Sequence, residues 1–140
     1  MSQKEIVLGE SFLASLSQSP SQLVQAWRLI ERVRAAGFDW SDIEGVLAKI
    51  EEEVQEAREA IVKQESQERL EEEIGNLLFV CLTLCQWCKV DPEHALKRHN
   101  QEFISRFQVL EGLLQEKGMS VATASFKNLI EVWLAAKRRI

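Results

Sequence analysis

Two acid-rich stretches raise the first question. Lys49, Glu52, Glu53 and Glu56 fall at i, i+3, i+4 and i+7, and Glu73 and Asn76 fall at i and i+3 with Arg69 one turn earlier. On a helix these spacings gather each set on one face. If the two helices are neighbours, their two E-x-x-[E/N] pairs supply four oxygen ligands. Carboxylate and amide oxygens suit a hard cation, Mg²⁺ or Mn²⁺, better than zinc. The adjacent Lys49 and Arg69 then make sense with a second anion, such as a phosphate chain bridged by the metal. On charge spacing alone, a solvated glutamate-rich face laced with pairs such as Lys49–Glu53 fits better, and the two matched pairs bring the two readings level.

The elements that must position these side chains are helices. The chain of 140 residues has two prolines, six glycines and long stretches of period 3.6, with almost no strand signal. Its fold class is all-α, a bundle of four main helices plus a short C-terminal helix. A polar lead over residues 1–20, running into SLSQSPSQ at its end, precedes one domain over 21–140. The first helix runs from about Gln22 to Ala36 and is stopped by Gly37. Ser41 and Glu44 form a capping box for a second helix reaching about Lys63. Its apolar stripe is Ile43, Val46, Leu47, Ile50, Val54, Ala57 and Ile61, and Glu53 lies about 70° from the centre of that stripe.

The turn QESQE leads to a third helix from Glu68 to about Cys88. From Leu77 onward this helix is apolar on every face, which implies burial all round, as a central helix, at an oligomer interface, or both. Asp91 followed by Pro92 caps a fourth helix that ends near Gly118, and a fifth spans roughly Ser125 to Arg138. The three cysteines, Cys81, Cys85 and Cys88, share one face of the third helix and read as small apolar core residues. His94 and His99 have no assigned role. A buried two-metal redox centre is disfavoured, because neither His stands in a Glu-x-x-His pair with these acids.

Charge and hydropathy exclude other classes. A net charge of -5 argues against a nucleic-acid partner. The longest apolar run, LLFVCLTLCQWC, falls short of the roughly 20 residues that span a bilayer. Glu5 and Glu10 interrupt any secretory leader, so the expected location is cytoplasmic, with no membrane partner.

KIEEEVQEAREAI, LEEEIGNLLFV, DPEHALKRHNQEFISRFQVLE and EVWLAAK, in this order and with GFDW after the first helix, resemble the MazG nucleoside triphosphate pyrophosphohydrolases over about Leu29 to Lys137. The resemblance implies an all-α pyrophosphatase fold, dimeric or tetrameric. It also implies Mg²⁺-dependent cleavage of a nucleoside triphosphate between the α- and β-phosphates, giving NMP and pyrophosphate. Nucleotide housecleaning is the role the family suggests. The metal ligands of its E-x-x-E fall on Glu53 and Glu56, and its E-x-x-D on Glu73 and Asn76. Glu52 and Glu72 match flanking acids, with Glu52 a candidate base for the attacking water. Lys49 matches a phosphate-contacting lysine, and Arg69 stands where a lysine is common. Asn100, Phe103 and Arg106 match the N-x-K-F-x-x-R-F pattern, and Trp133 and Lys137 match the nucleotide contacts of W-x-x-x-K.

Read without the resemblance, Asn100 is a core Asn needing a partner, Arg106 fits a surface ion pair, Trp133 a core aromatic and Lys137 the basic C-terminal end. Two positions depart from the family pattern: Asn76 replaces an aspartate, and Glu102 replaces a lysine. The alternative to an active enzyme is therefore a catalytically weak or inactive oligomeric module that binds nucleotides or a protein.

Overall fold

The computed structural model describes residues 11–138. The start of the polar lead, with Glu5 and Glu10, and residues 139 and 140 lie outside the described residues. Five helices are present and no strand appears among the described residues: α1 (Gln22–Ala35), α2 (Ile43–Val62), α3 (Gln67–Trp87), α4 (Pro92–Glu116) and α5 (Phe126–Arg138). Within the stretch read as one domain they form two compact units, α1–α3 up to Asp91 and α4–α5 from Pro92.

Each start has a local cause. Ser21 accepts a hydrogen bond from the Val24 N–H at 3.3 Å, and Ser66 one from the Arg69 N–H at 3.2 Å. The cap of α2 is Asp42 rather than Ser41: its Oδ1 accepts from the Gly45 N–H at 2.9 Å, and a carboxylate there also complements the positive end of the helix. Ser125 caps α5 from outside, accepting from the Asn128 N–H at 3.2 Å, so the helix itself begins at Phe126.

The ends of α1 to α4 share one device. Gly37, Gln64, Lys89 and Gly118 adopt positive φ of 95°, 53°, 56° and 71°. In each case the next N–H bonds a carbonyl five residues back, as in Phe38 to Val33 at 2.9 Å and Glu65 to Ala60 at 3.0 Å. These reversals account for helix ends one or two residues short of those expected from sequence.

The α1–α3 unit is built on the hairpin of α2 and α3, with α1 packed on α3. Its buried line along α2 is Val46, Glu53 and Ala60, each seven residues apart, and α3 contributes Glu73, Val80 and Thr83. This corrects the sequence expectation for α2, because Glu53 sits on the buried centre line rather than at its edge. Leu47, Val54 and Ile61, counted in the expected stripe, are exposed. The centre was misplaced because averaging apolar positions assumes that all of them face the chain's own core.

The same correction applies to α3. Ile74, Leu78 and Phe79 are exposed, as are Cys81 and the capping residue Cys88, so the helix is not buried all round within the chain. Only Cys85 is half-buried, and burial pushes its thiol pKa upward, with the neighbouring Cys81 and Cys88 adding to the effect.

In the α4–α5 unit, Leu110, Leu113 and Leu114 pack with Val132 and Ala136, and Phe107, Leu129 and Trp133 lean on this core. The N-terminal half of α4 carries no buried residue. Asn100 is accordingly exposed, not a core Asn, because Leu96, Phe103 and Ile104 around it are themselves exposed.

Gly37 terminates α1 in a conformation that L-residues adopt at a cost, although no atom would obstruct a Cβ there. Gly37→Ala should lower the unfolding free energy by about 1 kcal/mol in urea titrations, through backbone conformation alone.

Candidate active site

The site begins with two carboxylates where a core would normally place apolar groups. Glu53 of α2 is 6% exposed and Glu73 of α3 is 3% exposed. Each is held by a cation one turn earlier on its own helix. Lys49 Nζ lies 3.2 Å from Glu53 Oε1 and 3.3 Å from Glu52 Oε1. Arg69 reaches Glu73 Oε1 at 2.7 Å, Glu72 Oε1 at 3.1 Å and Glu65 Oε2 at 3.3 Å. The i,i+4 spacings of Lys49 with Glu53 and of Arg69 with Glu73 are thus both used, and each cation also engages exposed acids, Glu52 for Lys49 and Glu65 and Glu72 for Arg69.

These contacts shift the ionisation of three groups. The hydrogen bond to Glu53, followed by that to Glu52, raises the Lys49 pKa and keeps the amine charged. The hydrogen bond to Glu72, reinforced by the charge of Glu73, does the same for Arg69. Glu73 is held above the ordinary carboxylate range by burial, with the charges of Glu53, Glu56 and Glu72 adding to the rise and Arg69 opposing it. The packing of α2 against α3, with Glu53 and Asn76 lining one cavity, brings the acid-bearing faces of the two helices near one another.

Glu53 Oε2 is buried and has no hydrogen-bond partner. A carboxylate oxygen removed from water in this way is costly unless a donor or cation satisfies it. That orphaned oxygen and the all-oxygen chemistry of Glu53, Glu56, Glu73 and Asn76 fit a hard divalent cation. Among the described residues, no three acid, His or Cys side chains converge as a ready-made ligand set.

Beside the acids opens a cavity of about 550 Å³. Lys49, Glu53 and Asn76 line it, and Phe79, Val80 and Thr83 continue the wall along α3. The opposite wall comes from the end of α1 and the loop into α2, including Ile30, Arg34, Phe38, Asp39 and Trp40. Asp39 fixes that loop: it accepts from Arg34 Nε at 2.9 Å, Trp87 Nε1 at 3.0 Å and the Trp40 N–H at 2.8 Å. Burial alone would raise its pKa, but these hydrogen bonds outweigh it and hold the carboxyl below its usual value.

The structure therefore brings Lys49, Glu52 and Glu53 together, and Arg69, Glu72 and Glu73 together, with Asn76 on the cavity wall beside Lys49 and Glu53. Asn76 itself is exposed, and Glu56 is half-buried. In the α4–α5 unit, Trp133 meets Phe103 with ring centroids 5.4 Å apart. Arg106 has a buried Nε without a partner, and Lys137 is exposed. Glu102 is engaged by Arg98 at 3.6 Å on the same helix, so its charge faces a cation of its own.

Arg34, Asp39 and Thr83 were not singled out by sequence reasoning. The available signal was the pair Phe38 and Trp40 flanking an acid in a short loop after a helix-ending Gly. No single helix among the described residues is long and apolar enough to cross a membrane.

Residues 41–108 match the MazG nucleotide pyrophosphohydrolase domain. The chain is 41% identical over 115 residues to the nucleoside triphosphate pyrophosphohydrolase/pyrophosphatase MazG of Thermotoga maritima, covering 82% of this chain and 44% of that protein. It is 32% identical over 133 residues to the nucleoside triphosphate pyrophosphohydrolase of Escherichia coli K12, covering 92% of this chain and 49% of that protein. The chain thus spans about half the length of these curated relatives.

Glu73 gives the site a pH signature. Because its folded pKa is raised above the ordinary 4.5, the folded state holds its proton more tightly than the unfolded chain. Its contribution to stability is full below that ordinary value and is lost as pH rises through the raised one. Glu73→Gln cannot ionise, so in denaturant titrations from about pH 4 to 8 the stability difference should move in favour of the variant as pH rises. A difference independent of pH would show that burial does not govern this carboxyl.

Proposed function

This chain belongs to the MazG nucleotide pyrophosphohydrolase family through residues 41–108, and on that footing we propose that it hydrolyses nucleoside triphosphates to NMP and pyrophosphate with Mg²⁺. The observation that carries the reading is the pair of buried carboxylates, Glu53 and Glu73, on facing helices beside a cavity. Burying two acids is unfavourable unless a cation compensates them, and two Glu-x-x pairs are the arrangement a hard cation needs. Mn²⁺ fits the same ligands.

Glu53, Glu56, Glu73 and Asn76 would hold the metal, whose chemistry there is to neutralise the polyphosphate and polarise the bond under attack. The other steps belong to the chain. Lys49 and Arg69, each already charged and held at the edge of the acid cluster, steady the phosphate oxygens. Glu52 is largely exposed and reaches Lys49 from outside the buried pair, so it can take a proton from the attacking water. Glu72 flanks Arg69 in the same way. Asn100, Arg106, Trp133 and Lys137 are assigned to substrate binding by their match to the family pattern. Arg106 brings an orphaned guanidinium nitrogen that a phosphate oxygen would satisfy.

The working form in this reading is a homo-oligomer, a dimer or tetramer. Leu47, Val54 and Ile61 on α2 and Ile74 and Leu78 on α3 form apolar faces that the chain leaves open, as a partner copy requires. The role is cytoplasmic housecleaning of nucleotides. A second reading, an inactive nucleotide-binding or protein-interaction module, is favoured by Asn76, which removes one negative charge from the ligand set.

Pyrophosphate release from a panel of nucleoside triphosphates with Mg²⁺ tests the proposal. Glu53→Gln should reduce turnover by at least about a hundredfold, since it disturbs the ligand set directly. If the wild-type protein turns over none of the panel, the second reading replaces the first. Asn76→Asp should tighten Mg²⁺ binding in calorimetry by restoring a charge, and unchanged affinity would exclude position 76 from the ligand set.

A further inference from the structure

The cavity beside the acids has a far end whose chemistry is distinct. From Asn76 to Thr83 the wall runs seven residues along α3, about 10 Å at the helical rise, which is the reach of a nucleoside. Its sides are apolar and aromatic, and Phe38 at the loop is 81% exposed, a bare phenyl ring on which a flat partner could stack. Phosphates gathered near Lys49 and Glu53 would therefore leave a planar base to lie toward Thr83 and Arg34.

The polar groups at that end are few and already ordered. Arg34 is clamped by Asp39 through Nε and by the Gln86 side chain through Nη1 at 3.3 Å, with its guanidinium 5.2 Å from the Trp87 ring centroid. Gln86 is itself fixed by donating to the Trp27 carbonyl at 2.9 Å. This leaves Arg34 Nη2 as a donor without a partner among the described residues, on a side chain only 24% exposed. Asp39 already accepts from three donors, which leaves its carboxylate little capacity for a base amino group. Thr83 gives its hydroxyl proton to the Phe79 carbonyl at 3.1 Å and so offers only a lone pair.

We propose that this cavity is a base slot in which Arg34 and Thr83 select nucleobases presenting a carbonyl oxygen next to a ring N–H, the 6-oxopurines and 4-oxopyrimidines. The donor of Arg34 meets the carbonyl, and the lone pair of Thr83 meets the ring N–H. A 6-aminopurine or 4-aminopyrimidine presents the reverse pattern, setting donor against donor and acceptor against acceptor. This rests on the reading of the chain as a nucleotide hydrolase and specifies its substrate class.

Two nearly isosteric pairs test it: ITP against ATP, and UTP against CTP. Each oxo member should show kcat/KM at least about tenfold higher, the scale of one hydrogen bond to a charged group. Arg34→Met and Thr83→Val should each collapse that ratio, and Arg34→Lys, which keeps the charge but not the planar fork, should fall between. Equal or reversed ratios in the wild-type protein overturn the assignment, and so does a ratio that survives both Arg34→Met and Thr83→Val. The wild-type ratios need no variant, so a misfolded Arg34→Met does not spoil the test. Calorimetric binding of IMP against AMP without metal separates the two levels. A preference for IMP without turnover of any triphosphate removes the hydrolase reading and keeps the slot, whereas turnover with no base preference does the opposite.

Discussion

The structure turns on the burial of two carboxylates in the interface between α2 and α3. Glu53 stands between Val46 and Ala60 on the buried line of α2, and Glu73 stands one heptad before Val80 on α3. Removing these charges from water is unfavourable, and each is offset first by a cation on its own helix, Lys49 or Arg69. The offset is incomplete. Glu53 keeps an unsatisfied oxygen, and Glu73 is held toward its protonated form by burial and by the neighbouring acids. A hairpin optimised for stability alone would place apolar residues at both positions, and the unmet charge is what the cation and anionic ligand of the proposed function would relieve.

The loop between α1 and α2 is tied to the same hairpin by different means. Asp39 gathers Arg34, Trp40 and Trp87, while Arg34 and the Trp27 carbonyl both engage Gln86, so α1 and the loop lean on the second half of α3. Gly45 at the start of α2 contributes by its size: a Cβ there would stand 3.3 Å from the Trp40 ring. The result is a cavity with one ionic end and one hydrogen-bonding end, joined by an apolar wall. Phe38 stands exposed at its mouth.

Much of this was legible in the residues. The period of 3.6, Gly37 and Gly118 at helix ends, and Pro92 at a first turn place the five helices to within a residue or two. The spacing of Lys49 with Glu53 and of Arg69 with Glu73 is a local property of the helix, so the ion pairs follow from it directly. The order of the motifs carried the family resemblance, which the match over residues 41–108 bears out. The capping residue of α2 is displaced by one position because Ser41 and Asp42 are both competent caps, and the helix begins after Asp42.

The sequence by itself determined which residues form helices and which acids share a helical face, because both depend on contacts within about one turn. Only the tertiary structure decided which face of α2 is buried, since that depends on where α3 packs. An apolar run does not say which of its residues the chain buries, as the exposed Leu47, Ile61 and Leu78 show. The same limit hid Arg34, Asp39 and Thr83: their meeting around one cavity joins α1, a loop and α3, and separation of about fifty residues along the chain leaves no periodic trace.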